Sequence, residues 1–172
     1  STRDGLPSDT VFGLCRDSKN TLWISTSRGF AQLRDGKFET LTGKDALPDT
    51  FIVRINGGGA NVYEDSHGTM WMSSPGNVIS YSNGVFKHYT TKQGLPDSVV
   101  TSIVEDRNGT IWIGTRHGLG RFSNGTFTPI AASTDPDENF IREIQVDREG
   151  NLWLRTRKGS ASFASGAFER FG

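Results

Sequence analysis

The sequence lacks the features that identify a membrane-spanning, disulfide-bonded or nucleic-acid-binding protein. It has one cysteine, Cys15, which cannot form a disulfide within the chain and leaves the redox compartment open. It has no apolar run of about 18 residues, so no membrane contact by this segment is expected. Its 19 basic and 19 acidic residues cancel, and a neutral chain gives no reason to expect a nucleic-acid partner.

The sequence also offers no catalytic constellation. Its three histidines, His67, His88 and His117, fall in unrelated settings, and no spacing of His, Cys and carboxylates matches a metal site. No glycine-rich loop precedes a helix, and we predict no helix anywhere in the chain. These absences predict a non-enzymatic protein that uses no cofactor and no metal.

What the sequence does have is many glycines and little apolar content. Its 172 residues suffice for one domain, but only 34% of them are hydrophobic. With 21 glycines, this composition is typical of thin sheets that are joined by frequent turns and packed against one another. The first residue is Ser1 and no signal peptide is present, so we expect a processed or excised segment.

A fourfold repeat is visible in the positions of the aromatic residues. The four tryptophans are 48, 41 and 41 residues apart, at Trp23, Trp71, Trp112 and Trp153. An aspartate stands six residues before each one, at Asp17, Asp65, Asp106 and Asp147. A period near 41 residues predicts an all-β propeller with one four-stranded antiparallel blade per repeat. The predicted blades of this single array cover about residues 5–43, 44–92, 93–132 and 133–172.

The third repeat shows the predicted blade most clearly. Its strands are expected at Val99–Glu105, Thr110–Thr115, Leu119–Phe122 and from Thr126 onward. Asn124-Gly125 is a hairpin signal, because both residues accept positive φ. The second repeat departs from this layout near Ile55–Ala60, where three consecutive glycines predict a loop or bulge. That insertion is either a ligand-facing loop or a tolerated surface feature.

The repeated tryptophans and aspartates are predicted to be structural. Each tryptophan is flanked by apolar residues on a second strand, so we expect it to pack in the core between adjacent sheets. Stacking of sugar rings on these tryptophans is the alternative. Each aspartate opens a tight turn and can accept backbone N–H groups. The alternative for the aspartates is calcium binding, but the alternating ligands and closing Glu of a calcium loop are missing.

The turn between the second and third strands carries positive charge in three of the repeats. In a propeller, these turns share a face with the links between blades, where cations suit a carbohydrate or small anionic ligand. The alternative is pairing with acidic residues of the links, which stabilises little. The candidate ligand-binding residues are Arg28, Arg116, His117, Arg157 and Lys158.

The repeat closely resembles the two-component regulator propeller repeat. The resemblance is carried by residues 94–122, GLPDSVVTSIVEDRNGTIWIGTRHGLGRF, with their LP entry, ED-ending strand and WIGT second strand. Residues 5–30 match nearly as well, and residues 65–77 and 147–160 match over their cores. The resemblance implies an extracytoplasmic sensor of a bacterial signalling protein, located in the periplasm or outside the cell. It also implies that the propeller binds ligands, often oligosaccharides, or transmits a rearrangement of a dimer.

The number of blades poses a physical problem. Sensors of this family usually have about seven blades in a ring. Four blades in an open arc would expose the apolar faces of the two end blades to water. We therefore expect a tight ring of four, a homodimer that completes an eight-bladed ring, or a ring of which part is missing. Two rival functions stay open, because fold alone does not decide function. They are a propeller lyase or glycan-cleaving enzyme and a purely structural interaction scaffold.

Overall fold

The computed structural model describes residues 1–41, 62–74, 76–131 and 133–171, and in these ranges it contains sixteen β-strands, one short α-helix and two 3-10 turns. The predicted insertion at Ile55–Ala60 lies outside these residues. Two 3-10 turns, Thr2–Asp4 and Thr91–Gln93, precede sheets 1 and 3. No helix in the described ranges has the length and hydrophobicity needed to cross a bilayer.

The strands form four antiparallel four-stranded sheets in chain order, which confirms the predicted all-β fold of four propeller blades. Sheet 1 contains β1 (Val11–Arg16), β2 (Leu22–Thr26), β3 (Gly29–Arg34) and β4 (Lys37–Thr40). Sheet 2 contains β5 (Val62–Glu64), β6 (Met70–Ser74), β7 (Asn77–Ser82) and β8 (Val85–Tyr89). Sheet 3 contains β9 (Val100–Glu105), β10 (Ile111–Thr115), β11 (Gly118–Ser123) and β12 (Thr126–Ile130). Sheet 4 contains β13 (Ile141–Val146), β14 (Leu152–Thr156), β15 (Ser160–Ala164) and β16 (Ala167–Phe171).

The chain divides into two compact units, Ser1–His88 and Tyr89–Gly172. The first unit holds sheets 1 and 2, and the second holds sheets 3 and 4; Tyr89, the last residue of β8, belongs to the second unit. Each predicted blade range contains the strands of one sheet. That all four sheets form one array stays a prediction.

Local sequence accounts for the hairpins. Asn124 and Gly125 have φ of 51° and 80°, so the predicted turn has the positive φ at both positions that joins two strands tightly. The same left-handed conformation recurs at Asn83, where φ is 50°. Asn and Gly adopt this conformation at low cost, and they therefore fix the register of the last two strands in each of these sheets.

In each sheet, we call the side that carries the tryptophan the Trp face. The core of the first unit lies between its two sheets. Trp23 of sheet 1 contacts sheet 2, where its ring centroid lies 5.4 Å from that of Tyr81. The buried members of this core are Trp23, Phe30, Met70, Met72 and Ile79. Burial of such side chains contributes about 25 cal/mol per Å² of apolar surface.

The second unit repeats this arrangement. The Trp112 ring lies 5.4 Å from the ring of Phe163, so the Trp face of sheet 3 packs on the opposite face of sheet 4. The buried members of this core are Trp112, Leu119, Ile141, Ile144, Leu152, Leu154, Ala161 and Phe163. The packing of one sheet on the next therefore follows the same rule in both units.

Two expectations from the sequence are wrong. A short helix, α1 (Pro136–Asn139), stands in the link before β13, although no helix was predicted. Its start is favoured by Asp135, whose side chain accepts the N–H of Asp137, and by proline in the first turn. The second error is Trp153, whose exposed fraction is 41%, whereas those of Trp23, Trp71 and Trp112 are 3%, 3% and 6%. Within the second unit, no described sheet packs on the Trp face of sheet 4.

Candidate functional site

Each repeat aspartate bonds its own turn and its own tryptophan. In sheet 3, Asp106 Oδ1 accepts the N–H groups of Asn108 and Thr110 at 2.9 Å each, and Oδ2 accepts Trp112 Nε1–H at 2.8 Å. The corresponding indole bonds to Asp17, Asp65 and Asp147 measure 2.7, 2.8 and 2.9 Å. The indole bond was not predicted, although the constant spacing of six residues between each aspartate and its tryptophan indicates it.

These bonds lower the pKa of two of the aspartates, Asp17 and Asp147. Burial of Asp17 opposes its ionisation, but the hydrogen bonds from Trp23 and Thr21 outweigh burial and hold its pKa below its ordinary value. The pKa of Asp147 is lowered further, to about 2, first by the side chain of Asn151 and then by Trp153. Both carboxylates are therefore charged at neutral pH, and protein N–H groups occupy their oxygens.

The geometry of these turns bears on the calcium alternative. In all four turns, both carboxylate oxygens of the repeat aspartate accept protein donors. Among the described residues, no three His, Cys, Asp or Glu side chains come close enough together to hold a metal ion. The predicted structural role of the turns accounts for these contacts without a bound cation.

A threonine at the end of the second strand positions the predicted ligand-binding cations. Thr115 Oγ1 donates to the carbonyl of Gly118 at 2.8 Å and accepts the N–H of His117 at 3.2 Å. Thr26 bonds Gly29 and Arg28 in the same way, at 2.8 and 3.2 Å. Thr156 likewise bonds Gly159 and Lys158, at 3.0 and 3.2 Å. The three turns therefore hold Arg28, His117 and Lys158 at equivalent positions.

Acidic residues of the links pair with most of the predicted cations in the second unit. His117 Nδ1 lies 2.5 Å from Asp97 Oδ2, and Arg157 Nη1 lies 3.3 Å from Asp137 Oδ1. Lys158 pairs with Asp135, which raises the pKa of Lys158 and lowers that of Asp135. A ligand anion would have to displace these carboxylates. The geometry is that of the alternative interpretation, mutual pairing at the surface.

Two of the predicted cations share an aromatic neighbour. The guanidinium carbons of Arg157 and Arg116 lie 4.3 and 6.0 Å from the ring centroid of Phe140. Such contacts contribute about 0.5–1 kcal/mol each at exposed sites. The second unit thus brings together Arg116, Arg157 and Phe140. Arg28 lies in the first unit, exposed, and its guanidinium forms no ion pair with any described residue.

Lys158 also lines a cavity of about 170 Å³ at the edge of sheet 4. Ala161, Phe168 and Phe171 give this cavity an apolar lining. Arg170 lines it as well, and its guanidinium lies 2.7 Å from Glu138 Oε2. Both cations at the cavity are already paired with carboxylates, so the cavity carries little net positive charge.

A second depression lies beside the exposed Trp153 and was not predicted. It has a volume of about 300 Å³ and is lined by Glu143, Gln145, Trp153, Leu154, Arg155 and Ser160. Glu143 Oε2 accepts Arg155 Nη2 at 2.9 Å, and Glu143 Oε1 accepts Gln145 Nε2 at 3.1 Å. Bonds from Gln145 and then Arg155 lower the pKa of Glu143. We call this depression the Trp153 groove.

Comparison with protein families identifies the repeat. The profile of the family described as "Two component regulator propeller" matches residues 5–28 and residues 94–117. Each matched segment runs from the Gly-Leu-Pro link through the first two strands of a sheet into the following turn. Among the curated proteins, none matches the chain.

Solved structures share the fold over nearly the whole chain. The extracellular domain assigned to a hybrid two-component system of Bacteroides thetaiotaomicron matches 93% of the chain, with 26% identity and a TM-score of 0.72. A structure assigned to a one-component system of that organism matches 99%, with 24% identity and a TM-score of 0.71. The chain spans only 22% and 23% of the lengths of these two structures.

An enzyme also shares the fold. Virginiamycin B lyase from Staphylococcus aureus matches 94% of the chain, which spans 55% of the lyase, with 16% identity and a TM-score of 0.71. At this identity the likeness concerns the fold alone. The two segments matched by the family profile, together with the extracellular two-component domains of the same fold, confirm the recognition made from the motif. Two segments of this chain, residues 5–28 and 94–117, match the repeat of the two-component regulator propeller family.

Proposed function

We propose that this chain is a non-enzymatic, ligand-sensing module of a bacterial two-component-type signalling receptor. One observation carries the proposal: the chain has the repeats of this family and shares 26% identity with an extracellular domain assigned to a hybrid two-component system. The same likeness supports a location in the periplasm or outside the cell. A module in this position meets molecules that the cytoplasm does not contain, and it can report their presence across the membrane.

A carbohydrate or a small anion is the expected ligand. The turns of the second unit present His117, Arg157 and Lys158 beside the carboxylates of the links, and Arg116 beside the ring of Phe140. Because three of these cations are paired within the chain, an anion must exchange with a carboxylate in order to bind. A neutral hydroxylated ligand needs no such exchange, since it can add hydrogen bonds to both members of an ion pair.

Binding assays on the purified chain test the sensing function. We expect saturable binding of at least one member of a panel of oligosaccharides and small carboxylates, measured by isothermal titration calorimetry. Heat-unfolded protein, titrated with the same ligands, serves as the control for nonspecific binding. Failure of every saccharide and every anion to bind would refute the sensing function and favour the structural scaffold.

The enzyme alternative is tested in the same reactions. After prolonged incubation, mass spectrometry of each bound ligand should return the unchanged mass. The described residues contain one close histidine–carboxylate pair, His117 with Asp97, and such pairs can transfer protons. If a product of the ligand forms with the unmodified chain but not with His117→Gln, the chain is a lyase or a glycan-cleaving enzyme, and the non-enzymatic proposal is wrong.

A further inference from the structure

The Trp faces of sheets 3 and 4 differ at matched positions. The 41-residue offset between Trp112 and Trp153 pairs every residue of sheet 3 with one of sheet 4. Around Trp112, strand pairing places Val104, Ser102, Gly114 and Leu119 on the Trp face of sheet 3. The matched residues of sheet 4 are Gln145, Glu143, Arg155 and Ser160. The residues around the tryptophan are thus apolar or small in sheet 3 and charged or polar in sheet 4.

Gly114 shows what packing on a Trp face requires. A Cβ atom added at Gly114 would lie 2.7 Å from Ile141 Cγ2 of sheet 4, closer than van der Waals contact allows. The matched residues in the first unit are also small and buried: Ser25 is 0% exposed and Ser73 is 4% exposed. At this position, close approach of another sheet leaves no room for a large side chain.

Arg155 stands at the matched position of sheet 4. Its side chain is 60% exposed and forms an ion pair with Glu143. A sheet that packed here as sheet 4 packs on sheet 3 would collide with the Arg155 side chain. It would also have to bury the ion pair, and the cost of removing two charges from water commonly exceeds their mutual attraction. The Trp face of sheet 4 is therefore unsuited to the contact that covers Trp112.

Trp153 is nevertheless held in a fixed orientation. Its indole N–H bonds Asp147 at 2.9 Å, and its ring lies 5.1 Å from the ring of Phe171 at an interplanar angle of 31°. In sheet 3, the guanidinium of Arg121 lies 5.9 Å from the ring of Trp112. The matched residue in sheet 4 is Ser162, which is too short to cover an indole. A preorganised and exposed aromatic surface is the result.

The polar groups beside Trp153 carry no net charge. Glu143 supplies carboxylate oxygens, Arg155 supplies guanidinium N–H groups, and Gln145 supplies an amide with both donors and an acceptor. Such a set matches a ligand with neighbouring hydroxyl groups, each of which donates and accepts. The groove volume of about 300 Å³ lies at the small end of the range for small-molecule sites.

From this juxtaposition we propose that the Trp153 groove binds an uncharged, polyhydroxylated ring of the pyranose type. One apolar face of the ring stacks on Trp153, and its hydroxyl groups bond Glu143, Gln145 and Arg155. This inference rests on the proposed ligand-sensing function and assigns it to a groove outside the predicted cation set. It also means that a homodimer closing a ring through this face, which stays a prediction, would compete with the ligand.

Indole nitrogen NMR on the full chain tests the groove. The chain has four indole N–H resonances, and the signal missing from Trp153→Phe identifies that of Trp153. The probes are methyl β-D-glucopyranoside, methyl α-D-mannopyranoside, cellobiose and maltose. We expect at least one of them to shift the Trp153 resonance in a saturable way, while the resonances of the three buried indoles stay in place.

Variants that give sheet 4 the matched residues of sheet 3 remove the polar groups. Arg155→Gly and Glu143→Ser are each expected to weaken binding by about tenfold, the usual consequence of losing a charged hydrogen-bond partner. Gln145→Val is the second choice if either variant fails to fold, as judged by circular dichroism. Lys87→Gln, an exposed change in the other unit, serves as the control and should bind like the unmodified chain.

Four outcomes would overturn the inference. Two concern the NMR experiment: no probe shifts the Trp153 resonance, or a probe binds and leaves that resonance unmoved. The third is unchanged affinity in both Arg155→Gly and Glu143→Ser, and the fourth is a Trp153 shift that depends on protein concentration and accompanies a doubled mass in the absence of saccharide. Saccharide binding at another site, or binding of anions alone, would refute the groove but not the sensing function. Failure of every saccharide and every anion to bind would refute both.

Discussion

Sheets 3 and 4 carry the same turn and the same tryptophan, yet one indole is buried and the other is exposed. Asp106 and Asp147 each bond the indole six residues later, at 2.8 and 2.9 Å. Trp112 is nevertheless 6% exposed and Trp153 is 41% exposed. The Asp–Trp pair is therefore a local device that orients an indole without deciding what covers it.

What covers the indole is decided by its neighbours on the Trp face. Gly114 lets Ile141 of the next sheet approach sheet 3, whereas Arg155 and Glu143 form an exposed ion pair at the matched positions in sheet 4. Equal motifs in a repeat protein can therefore bury an indole in one sheet and leave the matched indole accessible in another.

Truncation of the two tryptophans should give the largest contrast. Trp112→Ala leaves a large cavity between sheets 3 and 4 and should lower the free energy of unfolding by about 3–5 kcal/mol. Trp153→Ala removes an indole that is 41% exposed and leaves no cavity between the described sheets of the second unit, so a smaller loss of about 1–3 kcal/mol is expected. Urea unfolding followed by circular dichroism measures both. Equal losses would mean that the two indoles have the same packing role.

The small-residue position should give the next largest effect. Gly114→Ala places a methyl group 2.7 Å from Ile141 Cγ2, and overpacking of this kind costs about 1–3 kcal/mol. The matched change in sheet 4, Arg155→Ala, contacts no other described sheet of the second unit and should change stability by less than about 0.5 kcal/mol. A stable Gly114→Ala protein would show that sheets 3 and 4 separate more easily than their packing indicates.

The four sheets could be predicted from the sequence because the residues that determine them act locally. The Trp and Asp positions, the turn glycines and Asn124-Gly125 recur at fixed spacing, and each acts within a few residues of itself. The same spacing also indicates the hydrogen bond between each indole and its carboxylate. This bond was not predicted, because a role in the turn was sufficient to explain why an aspartate recurs there. The helix α1 was missed because its four residues, Pro136–Asn139, are too few to show the apolar periodicity by which a helix is recognised.

The site was harder to predict because it depends on contacts between distant residues. His117 and Lys158 were correctly placed on turns, but their carboxylate partners, Asp97 and Asp135, lie 20 and 23 residues earlier. The exposure of Trp153 could have been anticipated by comparing matched positions. Arg155 in place of Gly114 is the signal, but its meaning emerges only when the contact between sheets 3 and 4 is known.

The turns of sheets 3 and 4 differ in one donor to the repeat aspartate, which affects the pKa of Asp147. Asn151 Nδ2 donates to Asp147 Oδ2 at 2.9 Å, whereas sheet 3 has Thr110 at the matched position. Asn151→Thr should therefore raise the pKa of Asp147 from about 2 toward its ordinary value of 3.8. Carboxyl-carbon NMR titration measures the change. An unchanged pKa would assign the shift to Trp153 and the turn N–H groups instead.

The sign of the associated stability effect follows from the lowered pKa. Because the folded state holds Asp147 charged to lower pH than the unfolded state does, its stabilisation is present above about pH 4. It is lost as the pH falls toward 2, where the folded state also takes up the proton. Thermal unfolding of Asn151→Thr should differ from that of the unmodified chain mainly above this window, since the mutation removes part of the stabilisation.

The smallest effect is expected at the paired cations, and it separates the two candidate binding surfaces. Lys158→Met breaks the exposed pair with Asp135, so the melting temperature should fall slightly at low salt and match that of the unmodified chain at high salt. A loss that persists at high salt would instead reveal packing by the Lys158 stem. Saccharide affinity at the Trp153 groove should not change in this variant. If affinity falls there while Arg155→Gly has no effect, recognition belongs to the turn cations, and the contrast between sheets 3 and 4 concerns packing alone.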